Sequence, residues 1–288
     1  MIAMVLAVFA AVSNALSSVL QRRAVQSAPA THGLPVGLMW YLIRRPAWLA
    51  GIGALIAGFL FQAAALSGAG LALVQPILVT ELPFTMIFVA WLFRIRLAAK
   101  AWLAITALTV GLAVLLVAAG PVESRRLPDR TGWTIATIVT VGVVAGLVAV
   151  ARVLRGERRA TVLGVASGLG FAFTAALMKQ ATEVLAEDPR ALLTSWPVYA
   201  MVAAGLCSLL LLQLALQAGT LVTIQPALNV TDPVASIAYG VGLFGEQIRL
   251  GAWVVPEVMG IGLILYGSVG LAQSAPIRRH EHVTPLDG

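Results

Sequence analysis

Two nonapeptides decide how this chain is read, Gln75–Pro83 (QPILVTELP) and Gln225–Pro233 (QPALNVTDP). They agree at Gln75/Gln225, Pro76/Pro226, Leu78/Leu228 and Pro83/Pro233, and each carries an acid, Glu81 or Asp232, close before its last proline. The register extends on both sides with one gap. Pro46 pairs with Pro197, Gln62 with Gln213, Leu92-Phe93 with Leu243-Phe244, Ala101-Trp102 with Ala252-Trp253, and Gly111 with Gly262. The first part of the chain therefore repeats in the second.

The surroundings of both peptides are apolar. Of 288 residues, 60% are hydrophobic and 11% charged, at mean hydropathy +0.94, whereas soluble domains are roughly 25% charged. So few charges cannot cover a water-facing surface, so the solvent for most of the chain is lipid. Uninterrupted apolar runs of helical length exclude a barrel of short alternating strands. The expected class is an all-α polytopic membrane protein, with spans at about 2–21, 47–67, 70–93, 100–119, 133–151, 161–179, 197–217, 220–244 and 252–272. Six tryptophans, Trp48, Trp91, Trp102, Trp133, Trp196 and Trp253, fall near span ends, where an amphipathic ring prefers the interface. The stretch GLPVGLMWYLI, within 24–46, is too short to span. It reads as a cytoplasmic or re-entrant segment, with a shortened tenth span over 34–44 as the alternative. Cys207 reads as a buried small hydrophobe.

The net charge of +7 sits in short loops beside spans, which fits positive-inside topology better than nucleic-acid binding. Thirteen of the 19 basic residues, from Arg22, Arg23, Arg44 and Arg45 through Arg94, Arg96 and Arg158 to Arg279, fall on one side. That bias predicts a multi-pass plasma-membrane protein with its N-terminus outside and its C-terminal tail in the cytoplasm. No basic residue precedes the first apolar run and two follow it, so the first span is expected to be retained.

Spans 1–4 recur as spans 6–9, an offset of five, so the copies enter the membrane in opposite directions. Inverted repeats around a midplane site are a signature of secondary transporters. The expected organisation is a first repeat over 1–120, a linker with a connecting helix over 121–160, a second repeat over 161–274 and a tail over 275–288.

The order of elements carries a resemblance. A first span ending SSVLQRR (Ser17–Arg23), a second opening at Trp48-Leu49, a third with an early proline, and a fifth opening at Thr131-Gly132-Trp133 together resemble the drug/metabolite transporter superfamily. The chain is most similar to its NIPA-like magnesium-transporter and EamA-like branch, over about residues 1–274, and the Gly245-Glu246 turn resembles one ending the corresponding helix in many members. The resemblance implies transport of a small solute or a divalent cation, with Mg2+ a candidate cargo. It also implies an acid in the second span, where this chain has Gln62.

Three of the 12 acids fall within spans, Glu81, Asp232 and Glu257. Glu81 and Asp232 lie about 17 Å deep by helical rise, near the midplane. An intramembrane carboxylate faces a pathway by default, so both are candidates for binding substrate or coupling ion, and for ligating a metal. Pro76, Pro83, Pro226 and Pro233 each remove a helix hydrogen bond, to the carbonyls of Ala72, Val79, Val222 and Asn229, and are candidate break or gating points. Gln225, Asn229, Asp232 and Ser236 share one face; Asn14, Ser17, Ser18 and Gln21 share another. Gln75 and Glu81, six residues apart, meet only if the helix is broken. Lys179 and Glu257 read as interfacial, with an entrance pair as the alternative.

There is no P-loop, no GxSxG and no Cys/His cluster, and His32, His280 and His282 lie outside the spans. The expectation is a transporter and not an enzyme, without a resident cofactor, moving Mg2+ or coupled to H+. Its expected partners are the lipid bilayer and a small-molecule or cation substrate, with a homodimer left open. The alternatives are a proton-coupled exporter of small organic metabolites or cations and, more remotely, a membrane scaffold or lipid enzyme.

Overall fold

In hydrocarbon every backbone N–H and C=O must be satisfied within its own segment, so long apolar runs become helices. A computed structural model describes residues 1–26, 44–94, 97–121, 128–188, 190, 194–249 and 251–273. Among these are ten α-helices: α1 Ile2–Gln26, α2 Pro46–Ser67, α3 Leu71–Leu78, α4 Glu81–Leu92, α5 Ala99–Ala119, α6 Arg130–Val153, α7 Gly156–Glu187, α8 Trp196–Ala218, α9 Leu221–Gly242 and α10 Val254–Ala272. No β-strand occurs among the described residues. Eight helical stretches, with α3 and α4 counted as one, are long and apolar enough to cross a bilayer. The remaining long helix, α9, is diluted by Gln225, Asn229 and Asp232. The segment 34–44 lies almost wholly outside the described residues.

Small residues set the packing. Gly51 of α2 lies against Ser17 and Gln21 of α1, Gly58 against Asn14 and Ala10, and Gly68 against Ala3, so α1 and α2 run antiparallel. The α7–α8 pair is also antiparallel, with Gly170 against Ser208, Gly205 against Thr174, and Gly219 against Ala160. α9 lies parallel to α7, Gly164 meeting Ile224 and Ala227, and Gly168 meeting Leu228 and Thr231. α5 and α10 make the tightest seam. A Cβ on Gly111 would lie 2.7 Å from the Gly260 carbonyl oxygen, one on Gly260 2.8 Å from the Gly111 oxygen, and one on Gly267 2.7 Å from the Ala104 oxygen. Such backbone approach is how membrane helices gain contact without a hydrophobic driving force.

The periphery differs from expectation in two places. Trp133 is buried, edge-on to Phe173, Trp196 and Phe244 at 6.2, 5.2 and 6.1 Å between ring centroids, and its indole Nε1 donates to Gln180 Oε1 at 3.3 Å. It anchors the sparsely packed α6 to the bundle instead of floating at an interface. Cys207 is exposed on α8 and faces outward; the reading of it as buried fails because α8 presents most of its surface away from the protein.

Candidate functional site

The third apolar run is one span but two helices. Pro76 and Pro83 lack the N–H groups that would bond four residues back, and the chain answers by tightening. Val79 N–H donates to the Pro76 carbonyl at 3.1 Å, Thr80 N–H to Ile77 at 3.0 Å, and Leu82 N–H to Val79 at 3.2 Å, while Thr80 Oγ1 donates to the Ile77 carbonyl at 2.7 Å. The Val79 carbonyl, expected to be free, is thus taken by Leu82. The same prolines in α9, Pro226 and Pro233, sit inside one uninterrupted helix. The sequence copies match, but the backbone breaks in only one of them.

The break lets Gln75 at the end of α3 and Glu81 at the start of α4 line the same space. That space is a half-open cavity of about 700 Å³ bordered by α1, α2, α3, α4, α7, α8 and α9. Its polar wall is Asn14, Gln62, Gln75, Glu81, Thr174, Gln225, Asn229 and Asp232, every one a residue within an apolar span. No Lys or Arg lines it. Glu81 hydrogen-bonds the side chain of Asn14. Ser236 Oγ donates to Asp232 Oδ1, and Asn229 Nδ2 donates to Ser268 Oγ, each at 3.4 Å. Gln75 Nε2 is buried with no hydrogen-bond partner, leaving a donor that a ligand or water would satisfy. The remaining wall is apolar, with Phe59, Phe171, Met178 and Met201 prominent.

Of the residues singled out from sequence, Gln75, Glu81, Asn14, Gln225, Asn229, Asp232 and Pro233 line the cavity; Ser17, Pro76, Pro83 and Pro226 do not. Ser17 is buried against α2 and accepts from Gln21 Nε2 at 2.9 Å, so that part of the α1 stripe is helix packing. Ser18 is exposed. Gln62 was passed over as a site residue although its isolation in an apolar span marked it. Glu257 does not line the cavity.

A second charged feature closes one end of the bundle. Lys179 Nζ lies 3.5 Å from Glu246 Oε1, with both side chains 1% exposed. Glu246 accepts the N–H groups of Leu71 at 2.8 Å and Ala72 at 2.9 Å, the first turn of α3, and Lys179 donates to the Ala69 carbonyl at 3.2 Å and lies 5.2 Å from the Phe244 ring centre. Gly245, in the left-handed region at φ +69°, turns the chain so that Glu246 N–H meets the Gly240 carbonyl at 2.8 Å. Space for the carboxylate is made by glycine: a Cβ on Gly70 would lie 2.5 Å from Glu246 Cδ. The interfacial reading of Lys179 is therefore corrected. α7 runs on to Glu187, beyond the expected span end at Lys179, so the lysine is two turns inside and its partner is Glu246, not Glu257. Because α3 starts beside the end of α9, these two helices run antiparallel.

The chain is similar to an uncharacterized protein of Corynebacterium glutamicum, 25% identical over 268 residues that cover 92% of each sequence. No protein-family model matches the chain. No solved structure matches it.

Proposed function

We propose that the chain is a secondary transporter of the drug/metabolite transporter type, working by alternating access, with Glu81 and Asp232 binding a cationic solute or the coupling proton. The observation that carries this reading is the cavity. Two carboxylates and five amides converge in the middle of a bundle of apolar helices, with no basic residue among them. Intramembrane acids are costly unless paired or hydrated, and they mark pathways.

The inverted repeat is part of the proposal. It is supported by equivalent segments running in opposite directions, α5 against α10 and α3 against α9, and by the recurrence of the α1–α2 hairpin as α7–α8. The orientation proposed from charge bias, N-terminus outside and tail in the cytoplasm of a plasma-membrane protein, places the Lys179–Glu246 pair at the outer end, where it holds that side shut.

The volume favours an organic cation, since cavities of several hundred Å³ with mostly apolar walls suit small molecules. Mg2+ is the second reading, favoured by the hard oxygen donors of two carboxylates and several amides. Among the described residues no three of His, Cys, Asp and Glu converge on a common point, so such an ion would retain much of its water. The test is flux into proteoliposomes of Mg2+, followed by an enclosed dye, and of tetramethylammonium, under an imposed proton gradient. Parent protein should exceed empty vesicles for one of them, and Glu81→Gln and Asp232→Asn should each reduce that flux at least about tenfold. Parental flux in both variants overturns the assignment of the site.

A further inference from the structure

The turn between α6 and α7 gathers more charge than topology requires. Arg152 stands in the last turn of α6, Arg155 is the N-cap of α7, and Arg158 and Arg159 follow in its first turn, all four exposed. Among the described residues no ion pair or hydrogen bond holds any of their side chains. The one acid of the turn, Glu157, points elsewhere: a Cβ on Gly219, at the end of α8, would lie 2.9 Å from its Oε2. Four cations less one carboxylate leave +3 within 152–159. Positive-inside topology asks only that basic residues lie near a span end. It does not ask that they crowd one another. Arg155 and Arg159 are four positions apart, a spacing at which like charges repel along a helix, and Arg158 and Arg159 stand at the positive end of α7, where a cation is disfavoured. An anion relieves both costs.

The apolar flank of the same turn tells which anion. α6 packs along α7 and leaves its other side open. Val139, Val143, Val150 and Val153, 57%, 47%, 49% and 81% exposed, lie at i, i+4, i+11 and i+14, which is one face. Gly146 falls between them with nothing within 4 Å of an added Cβ, so the stripe is an open trough that ends beside Arg152. Its length is about 21 Å by helical rise, more than one leaflet's share of ~30 Å of hydrocarbon. We propose that this face binds an anionic phospholipid, its phosphate on the arginines of the α6–α7 turn and an acyl chain along the valine stripe. The planar fork of arginine takes phosphate oxygens two at a time. Free phosphate would satisfy the arginines and leave the stripe bare, and a zwitterionic lipid would bring a cation of its own to the cluster. A second copy of the chain packed on the stripe about a two-fold axis along the membrane normal would set one arginine cluster against the other. The inference needs neither the cavity nor the transport reading.

The test is photolabelling of the full chain in phosphatidylcholine nanodiscs, using phosphatidylglycerol with a diazirine in its acyl chain. Labelling is expected to concentrate on Val143, Val150 and Val153 over Val255 of α10, which is 64% exposed and reports background contact with lipid. It should be displaced by unlabelled phosphatidylglycerol but not by phosphatidylcholine or inorganic phosphate. Combining Arg158→Gln with Arg159→Gln should lower the enrichment at least about tenfold, since each basic residue adds to the attraction for anionic lipid. Arg152→Gln with Arg155→Gln should do the same, and serves where the first pair fails to give monodisperse protein. Labelling of the stripe no greater than at Val255, equal displacement by phosphatidylcholine, displacement by inorganic phosphate, or enrichment unchanged in the double variants would each overturn the proposal. So would an unlabelled stripe at which Val150→Cys, with Cys207→Ala, cross-links two copies of the chain.

Discussion

Glu246 makes three contacts with one carboxylate: the ion pair with Lys179 and hydrogen bonds from the N–H groups of Leu71 and Ala72. A helix N-terminus adds a favourable positive field to those bonds. The two partners are therefore unequal. Lys179→Met leaves a carboxylate still held by two amides, while Glu246→Leu leaves a buried ammonium and an uncapped helix. Losing one member of a buried pair typically costs about 3–5 kcal/mol. Glu246→Leu is expected at that level and Lys179→Met clearly below it, with Lys179→Met recovering part of the loss when combined with Glu246→Leu. Thermal unfolding in detergent, followed by intrinsic fluorescence, measures the order, and a larger loss from Lys179→Met would show that the cap contributes little. This pair was hidden in the sequence because its members are 67 positions apart and each stands near the end of an apolar run, where charge is ordinary. Glu81 and Asp232 were legible for the opposite reason, standing where charge is expensive.

Between helices, contact is decided by glycine. A side chain at Gly111 or Gly260 would meet the opposing backbone, which cannot rotate away, whereas Gly142 and Gly146 on α6 have nothing within 4 Å of an added Cβ. Gly111→Val or Gly260→Val should thus abolish monodisperse protein on size-exclusion chromatography. Gly142→Ala and Gly146→Ala should leave the elution profile unchanged and gain slightly from helix propensity, about 0.5–1 kcal/mol at most. Normal elution of Gly260→Val would mean that the α5–α10 seam is looser than its spacing implies. Helix positions could be read from apolar run length: helix occupies each of the nine expected stretches, the third of them as the two helices α3 and α4, and eight are long and apolar enough to cross a bilayer. What could not be read was where helix outlasts apolarity. α7 is 32 residues long and α1 25 because polar residues beyond a span continue an existing helix at little cost. Nor could the sequence tell that QPILVTELP breaks while QPALNVTDP does not. In α3–α4, i→i+3 bonds and the Thr80 hydroxyl take up the groups at the break.

Across the whole molecule, α7 is 32 residues and so about 48 Å long, with Arg158 near its start and Arg190 just past its end. If the charge bias sets the orientation, Arg190→Cys should react with an impermeant maleimide added to intact cells and Arg158→Cys only after permeabilisation. The native Cys207, facing the hydrocarbon, should be silent in both. Reaction of Arg158→Cys in intact cells would invert the assignment. Antiparallel α1 and α2 put the C-terminal end of α1 and the N-terminal end of α2 at the same end of the bundle. The close contact of Gly111, Gly260 and Gly267 then bears on motion. It joins α5 to α10, one helix from each half of the sequence, backbone against backbone at the glycines and with Leu108, Leu115 and Ile264 buried along the seam. Two halves riveted in this way cannot tilt past each other as blocks. A swing between the halves is then expected to keep α5 and α10 as an axle and to be carried by the hairpins α1–α2 and α7–α8, the arms whose members α2 and α8 border the cavity. The sequence divides this molecule end to end, while its packing divides it into an axle and arms.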